Sequence, residues 1–165
     1  MSSSSTQLHI RPALADDAER IHGFILGLAE YERLAHEVVA TPDKIRDSLF
    51  GERPGAEVLI AEWDDKPAGF ALFFPNYSTF LAQAGMYLED LFVLPEYRGR
   101  GIGKSLLTRL AAVAVERGYG RLDWSVLDWN EPAIEFYKSI GARGLDDWTQ
   151  YRLDGDALQR LGEAG

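Results

Sequence analysis

A glycine-rich segment with basic residues, YRGRGIGKSLL at residues 97–107, has the composition of a loop that wraps an anionic phosphate group. Because glycine lacks a β-carbon, successive backbone N–H groups can close around an anion, and a helix that follows presents its positive N-terminal end. NTPases, dinucleotide enzymes and coenzyme A enzymes all use loops of this kind. The spacing of the glycines decides among them.

The spacing excludes the first two classes. An NTPase loop, G-x-x-x-x-G-K-[ST], ending at residues 103–105 would need a glycine at the position of Arg98. A dinucleotide loop, G-x-G-x-x-G, would need a glycine at the position of Lys104 or Leu106. The interpretation that remains is a loop for the phosphates of coenzyme A.

The remaining pattern, Arg98-x-x-Gly101-x-Gly103, resembles the R/Q-x-x-G-x-G/A signature of acyl-CoA-binding acetyltransferases. Its context, YLEDLFVLPEYRGRGIGKSLL followed by VLDWNEPAIEFYKSIGAR, resembles the GNAT superfamily of N-acetyltransferases. Within that superfamily the chain looks most like the diamine branch, which includes the spermidine/spermine and thialysine acetyltransferases. The resemblance implies an enzyme that transfers acetyl from acetyl-CoA directly to a small primary amine.

The resemblance also implies where acetyl-CoA binds. Backbone groups of the strand before the loop should pair with the pantetheine arm and polarise the thioester carbonyl, through a splay or bulge beside that strand. The loop and its cations should hold the phosphates. Asn130 can cap a helix and also reach the pantetheine arm. The expected cofactor-binding residues are Leu91, Phe92, Val93, Arg98, Gly99, Arg100, Gly101, Ile102, Gly103, Lys104, Asn130 and Tyr137.

Two residues are expected to move protons. An alkyl ammonium has a pKa near ~10.4, so it must lose a proton before it can attack a thioester at neutral pH. By resemblance, Glu89 is the expected base, acting directly or through water. Tyr137, in the "FY" pair of the later helix, is expected to protonate the leaving thiolate.

The acceptor pocket is expected to be acidic and short. The resemblance assigns Tyr31, Glu32, Asp90 and Glu89 to it, and Trp129 either walls the site or packs inside the protein. Because strand side chains alternate, only one of the two adjacent carboxylates should point directly at the amine. The segment YSTFLAQAG before YLED lacks the acidic residue and the tryptophan of polyamine enzymes, which favours small amines over long polyamines.

The elements that must position these residues follow the order β-α-α-β-β-β-α-β-α-β. Hydrophobic spacing, caps and turn residues predict this order. It indicates one mixed α/β domain over residues 8–165 after a disordered tail at 1–7, and the resemblance implies the GNAT-type fold, a mixed and mostly antiparallel sheet flanked by helices. The strands ending near Val93 and beginning near Arg121 should be parallel neighbours because a helix separates them. The predicted strands cover 8–13, the two segments on either side of a turn at 64–66, 86–94, 121–127 and 148–153. Four helices are predicted: one that begins at Asp16, one at 41–50, one directly after the glycine loop and one at 130–142.

Composition narrows the partners. The formal charge of −9 disfavours nucleic acid and would attract a cationic small substrate, although composition alone favours the alternative that the acidity only serves solubility. Cysteine is absent and the three histidines form no HxH or HxxxH pair, so no metal site is expected. No apolar run reaches the ~18 residues of a membrane span, and we expect a cytoplasmic protein.

The resemblance further implies a homodimer. Two alternatives stay open, a protein or peptide N-acetyltransferase and a CoA-binding regulatory module without turnover.

Overall fold

The computed structural model describes residues 7–165, so the tail predicted for residues 1–7 lies outside the described residues except for Gln7. The chain divides into two compact units, one ending at Ser125 and the other covering Val126–Gly165. Each unit is described by itself. Among the described residues, no helix is both long and apolar enough to cross a bilayer.

The first unit is built on a five-stranded mixed sheet with flanking helices, which confirms the predicted α/β class. The strand order is β1-β2-β3-β4-β5, with antiparallel pairing throughout except between β4 and β5. The parallel pair joins Met86–Leu88 to Leu122–Trp124, as the helix between them predicts. The elements are β1 (Leu8–Pro12), α1 (Ala18–Tyr31), α2 (Pro42–Phe50), β2 (Glu57–Trp63), β3 (Lys66–Ser78), β4 (Gln83–Val93), α3 (Ile102–Glu116) and β5 (Leu122–Trp124).

Helix α1 covers one face of this sheet. Its Ile21 and Phe24 are buried with Ile60, Phe70 and Phe92 of three strands. The rings of Phe24 and Phe70 stack with centroids 5.3 Å apart, which adds a specific contact to the burial of apolar area. On the other face, α3 buries its own apolar stripe against β2, β3 and β4.

The approach of α1 to β4 depends on Gly27. A β-carbon at this position would lie 2.8 Å from the ring of Phe92, well inside contact distance. Glycine therefore lets the last turn of α1 lie against the strand that carries the candidate base. This contact sets the position of Tyr31 and of Glu32, which follows the helix.

An ion-pair network ties the start of α1 to the edge of the sheet. Asp17 is 2 % exposed and accepts two hydrogen bonds from the Arg11 guanidinium, at 2.8 and 2.9 Å. It also accepts bonds from Arg20 and from the backbone N–H of Leu14. Hydrogen bonding to Arg11, the largest cause, lowers the pKa of Asp17 to about 2 against the opposing effect of burial. Asp17 thus occupies the N-cap position of α1 but uses its carboxylate for these partners instead of capping the helix.

The predicted helix at 41–50 is confirmed together with its cap. Thr41 precedes the helix and its side-chain oxygen accepts a hydrogen bond from the Lys44 N–H at 3.2 Å. Pro42 occupies the first helical position, where its missing N–H costs nothing.

The second unit contains two helices, α4 (Glu131–Ser139) and α5 (Gly155–Glu163). Asn130 holds the N-cap position of α4, although its side chain makes no capping hydrogen bond, and Gly141 follows the helix with a φ of 92° as predicted. The predicted strand at 148–153 is wrong, because this segment has no strand pairing and Trp148 and Tyr151 are 80 % and 91 % exposed. Helix α5 was not predicted.

Candidate active site

Strand β4 contains a bulge at the candidate base. On β3 the consecutive residues Phe73 and Leu72 face Leu88 and Asp90, so the pairing skips Glu89. A residue inserted in this way shifts the alternation of the strand and re-aims its side chains. The regular alternation expected for the Glu89–Asp90 pair is therefore not present.

The bulge turns Asp90 onto the face that carries α1. Side chains of directly paired residues lie on the same face of a sheet, and the α1 face is marked by the pair Phe70 and Phe92. Asp90 is paired with Leu72, which packs against the same cluster. Leu88, paired with Phe73, lies on the opposite face. Glu89, which follows Leu88, is thus expected on the α1 face as well.

Three carboxylates interact at this place. Burial is the main reason that the pKa of Asp90 rises to about 6, and the negative charges of Glu89 and Glu32 add to it. Burial also raises the pKa of Glu32, and the charge of Glu89 contributes again. Glu32 follows the last residue of α1, so the helix end and the bulged strand meet in one acidic cluster. Within residues 7–165, no group of three or more His, Asp or Glu side chains has an arrangement that could hold a metal ion.

Strand β4 extends beyond its pairing with β5. The pairing of β4 with β5 ends at Leu88 and Trp124, whereas the pairing with β3 continues to Val93. The pairing with β5 therefore ends one residue before Glu89, the residue that the pairing with β3 skips. Leu91, Phe92 and Val93 follow the bulge, in the segment expected to bind pantetheine.

The glycine loop has the backbone geometry of an anion cradle. Gly99 and Gly101 have φ values of 81° and 77°, which side-chain-bearing residues adopt at a cost, and no atom lies within 4 Å of where their β-carbons would be. Gly101 is the N-cap of α3, and the first helical hydrogen bond of that helix runs from Ser105 N–H to the Gly101 carbonyl at 3.0 Å.

The start of α3 favours an anion. The first N–H groups of a helix have no acceptor within the helix, and here they belong to Ile102, Gly103 and Lys104. The first turn contains no acidic residue that would compete for them. A pyrophosphate fits this arrangement, because open glycine positions, the helix N-terminus and basic side chains lie together in the sequence 98–104.

The two arginines of the loop lie against aromatic rings. The guanidinium of Arg98 is 5.1 Å from the ring centroid of Tyr31 and 5.4 Å from that of Phe92. The guanidinium of Arg100 is 5.1 Å from the ring of Trp63. The sequence motif predicts the presence of these cations but gives no sign that they stack on Tyr31 and Trp63, because those two residues are distant in the chain.

The remaining predicted site residues belong to the second unit. Tyr137 lies on α4, half-buried, with its ring centroid 5.7 Å from that of Phe136. Trp129 is 43 % exposed, just before the N-cap residue Asn130. Their roles stay predictions.

Comparison with known proteins identifies the family of the chain. The model of the Acetyltransferase (GNAT) family matches residues 13–142. The chain is 37% identical over 163 residues to thialysine N-epsilon-acetyltransferase of Sus scrofa, covering 92% of this chain and 95% of that protein. It is 36% identical over 197 residues to L-ornithine N5-acetyltransferase NATA1 of Arabidopsis thaliana, covering 92% of this chain and 86% of that protein.

A solved structure shows the same fold. An integron cassette protein from the mobile metagenome of V. cholerae superposes with a TM-score of 0.82 at 29% identity, covering 96% of this chain and 99% of that chain. The family match spans both the bulged strand and the glycine loop. The chain therefore belongs to the GNAT acetyltransferase family and is an acetyl-CoA-dependent N-acetyltransferase.

Proposed function

We propose that this enzyme acetylates a small primary amine that carries positive charge, either a diamine or a lysine-like amine. The observation that carries the proposal is the acidic cluster formed by Glu89 and Asp90, on the strand that leads into the glycine loop, and Glu32 at the end of α1. Three carboxylates attract an ammonium group and raise its local concentration. The names of relatives that act on thialysine and ornithine support an acceptor of this size.

Acetyl-CoA is the proposed donor, and it supplies an acetyl thioester that an unprotonated amine converts to an amide with release of a thiol. The residues of the loop would hold its phosphates through Gly99, Gly101 and the first N–H groups of α3. Arg100 and Lys104 add positive charge there. The edge of β4 at Leu91–Val93 would bind the pantetheine arm as an added strand does.

Glu89 is the proposed base. It takes the proton of the acceptor ammonium, directly or through one water, so that the nitrogen lone pair can attack. Asp90 and Glu32 hold the ammonium beside it by charge. Tyr137 donates a proton to the departing sulfur, and Trp129 and Asn130 complete the acceptor wall and the pantetheine site in this proposal.

The proposal is tested with a panel of amines and acetyl-CoA, with the released thiol as the measured product. The panel contains thialysine, ornithine, lysine, 1,3-diaminopropane, spermidine, spermine and a short peptide with a free N-terminus. We expect the small cationic amines to have the highest kcat/KM, and added salt to raise their KM because screening weakens the attraction. Spermine as the best acceptor would overturn the short pocket.

Two variants separate base from binding. Glu89→Gln should lower kcat by about 10²–10⁴-fold, whereas Asp90→Asn should raise the amine KM more than it lowers kcat. The alternatives have their own outcomes. A peptide acetyltransferase would favour the peptide, and a regulatory module would bind acetyl-CoA without releasing thiol for any amine.

We also propose that residues 8–165 act as one acetyltransferase domain in a cytoplasmic homodimer. The family match supports the first part because it crosses the boundary between the two units at Ser125. The fully exposed Phe80, between β3 and β4, offers an apolar contact for a second copy. Sedimentation of the wild-type protein and of Phe80→Ser measures whether a dimer forms and whether this surface contributes.

A further inference from the structure

Arg98 makes three contacts that lead away from the phosphate loop. Its Nε donates a hydrogen bond to the Val93 carbonyl at 3.0 Å, and its guanidinium lies over the rings of Tyr31 and Phe92. The hydrogen bond fixes the side chain to the end of β4. The two rings fix the guanidinium plane against the end of α1.

One of these partners is rigid. Phe92 is 5 % exposed and belongs to the core cluster, and its ring lies beside the backbone of Gly27. Tyr31, by contrast, is 40 % exposed and is the last residue of α1. Arg98 therefore joins a buried ring of the core to a partly exposed ring at the end of α1.

The charge of Arg98 suits this position as well. The carbonyl end of a helix is stabilised by a nearby cation. The last turn of α1 contains no basic residue, and Arg98 lies over its final side chain. The residue that follows, Glu32, is a member of the acidic cluster with Glu89 and Asp90.

We propose that Arg98 is a positioning residue for the acceptor amine, holding the Tyr31–Glu32 end of α1 against β4 through its planar guanidinium. The inference rests on the proposed function of the acidic cluster as the amine site. It gives this arginine of the cofactor loop a role on the acceptor side. Through Arg98, the phosphate loop and the acceptor site are structurally linked.

Arg98→Lys tests the proposal because lysine keeps the positive charge for a phosphate but loses the plane that stacks on the rings. We expect the amine KM to rise about tenfold, from a lost cation–π contact and a lost hydrogen bond to a carbonyl. The kcat and the acetyl-CoA affinity measured by calorimetry should change less than threefold. Arg117→Lys is the control, since Arg117, which follows the last residue of α3, also lies over a tyrosine ring, at 6.0 Å, and hydrogen-bonds to Glu57 rather than to any residue near α1.

Hydrogen exchange provides a readout that needs no turnover. In Arg98→Lys the amides of residues 29–34 should exchange faster than in the wild type, and in Arg117→Lys they should not. Tyr31→Ala should raise the amine KM by a similar factor. In the double variant Arg98→Lys with Tyr31→Ala, the KM should rise by less than the product of the two single factors, because both changes remove the same contact.

The outcomes are distinct for the two proposals. An unchanged amine KM together with unchanged exchange at residues 29–34 would overturn the role of Arg98 while leaving the acetyltransfer to small amines intact. Faster exchange in a protein that acetylates none of the panel amines would support the contact and reject the proposed acceptor. A fall in acetyl-CoA affinity with an unchanged amine KM would assign Arg98 to the phosphates alone.

Discussion

At the scale of single residues, we expect the ionisation of Asp90 to make the kcat/KM of the reaction depend on pH. Its pKa is raised to about 6, so it is ionised at pH 7.5 and neutral at pH 5. We expect the kcat/KM for a cationic amine to fall as the pH drops through about 6, because the neutral acid no longer attracts the ammonium. In Asp90→Asn this titration should disappear, and a limb that persists near pH 6 would have to belong to another group.

Tyr137 carries the second prediction at this scale. Tyr137→Phe keeps the ring beside Phe136 and removes only the hydroxyl group, so the fold should be preserved. If the hydroxyl protonates the leaving sulfur, single-turnover acetyl transfer should slow by about 10²–10⁴-fold while acetyl-CoA affinity stays the same. Phe136→Leu serves as a packing control. Wild-type rates in Tyr137→Phe would assign the proton to water.

The sequence predicts the identity of site residues better than their orientation. Glu89, Asp90 and the glycines could be named because local motifs fix their types and order. The bulge at Glu89 could not be predicted, since it depends on how β3 pairs with β4. An adjacent pair of acids within an otherwise apolar strand is the one signal that could have suggested it. The stacking of Arg98 on Tyr31 joins residues 67 positions apart and leaves no local pattern.

At the scale of elements, the turn into α3 depends on a backbone that only glycine adopts cheaply. Gly101→Ala should lower acetyl-CoA affinity at least tenfold, because the φ of 77° costs an alanine about 1 kcal/mol or more and shifting it moves the N–H groups of the cradle. Gly118→Ala is the control, since Gly118 has a φ of 74° at the other end of the same helix. Both variants should lose similar thermal stability, and calorimetry should find weaker binding for Gly101→Ala alone.

Elements with strong periodicity or clear caps were predicted well. Helices α1 to α4 and strands β1 to β4 lie close to their predicted positions because apolar spacing, Thr41, Pro42 and Gly141 mark them locally. The strand predicted at 148–153 is wrong because its sequence signal was short: only Tyr151 and Leu153 in this segment keep the two-residue spacing of a strand. Helix α5 has Leu158 and Leu161 three residues apart after Asp154, a weak helical signal in a stretch with no buried residue.

At the scale of the whole molecule, the Asp17 network should govern stability in acid. The folded-state pKa of about 2 lies below the ordinary 3.8, so ionised Asp17 stabilises the fold above pH 4, and this contribution is lost as the pH falls from about 4 to 2. Asp17→Asn should lower the free energy of unfolding by about 2 kcal/mol at pH 7. Urea unfolding at pH 7 and pH 3 measures the free energy of unfolding of both proteins. If the difference between the wild type and Asp17→Asn is as large at pH 3 as at pH 7, the assignment to Asp17 is contradicted. Asp16→Asn, at the exposed neighbouring position, is the control.

The bulge in β4 has a consequence for how such an enzyme can arise. Without residue 89, Leu88 and Asp90 would follow one another in a regular ladder opposite Phe73 and Leu72, and neither the glycine loop nor the core cluster would need to move. Glu89, the proposed base, is thus the residue of β4 that the pairing with β3 skips. On the proposed role of Glu89, a protein of this fold that only binds coenzyme A would differ from a catalyst by a single codon, the one for residue 89.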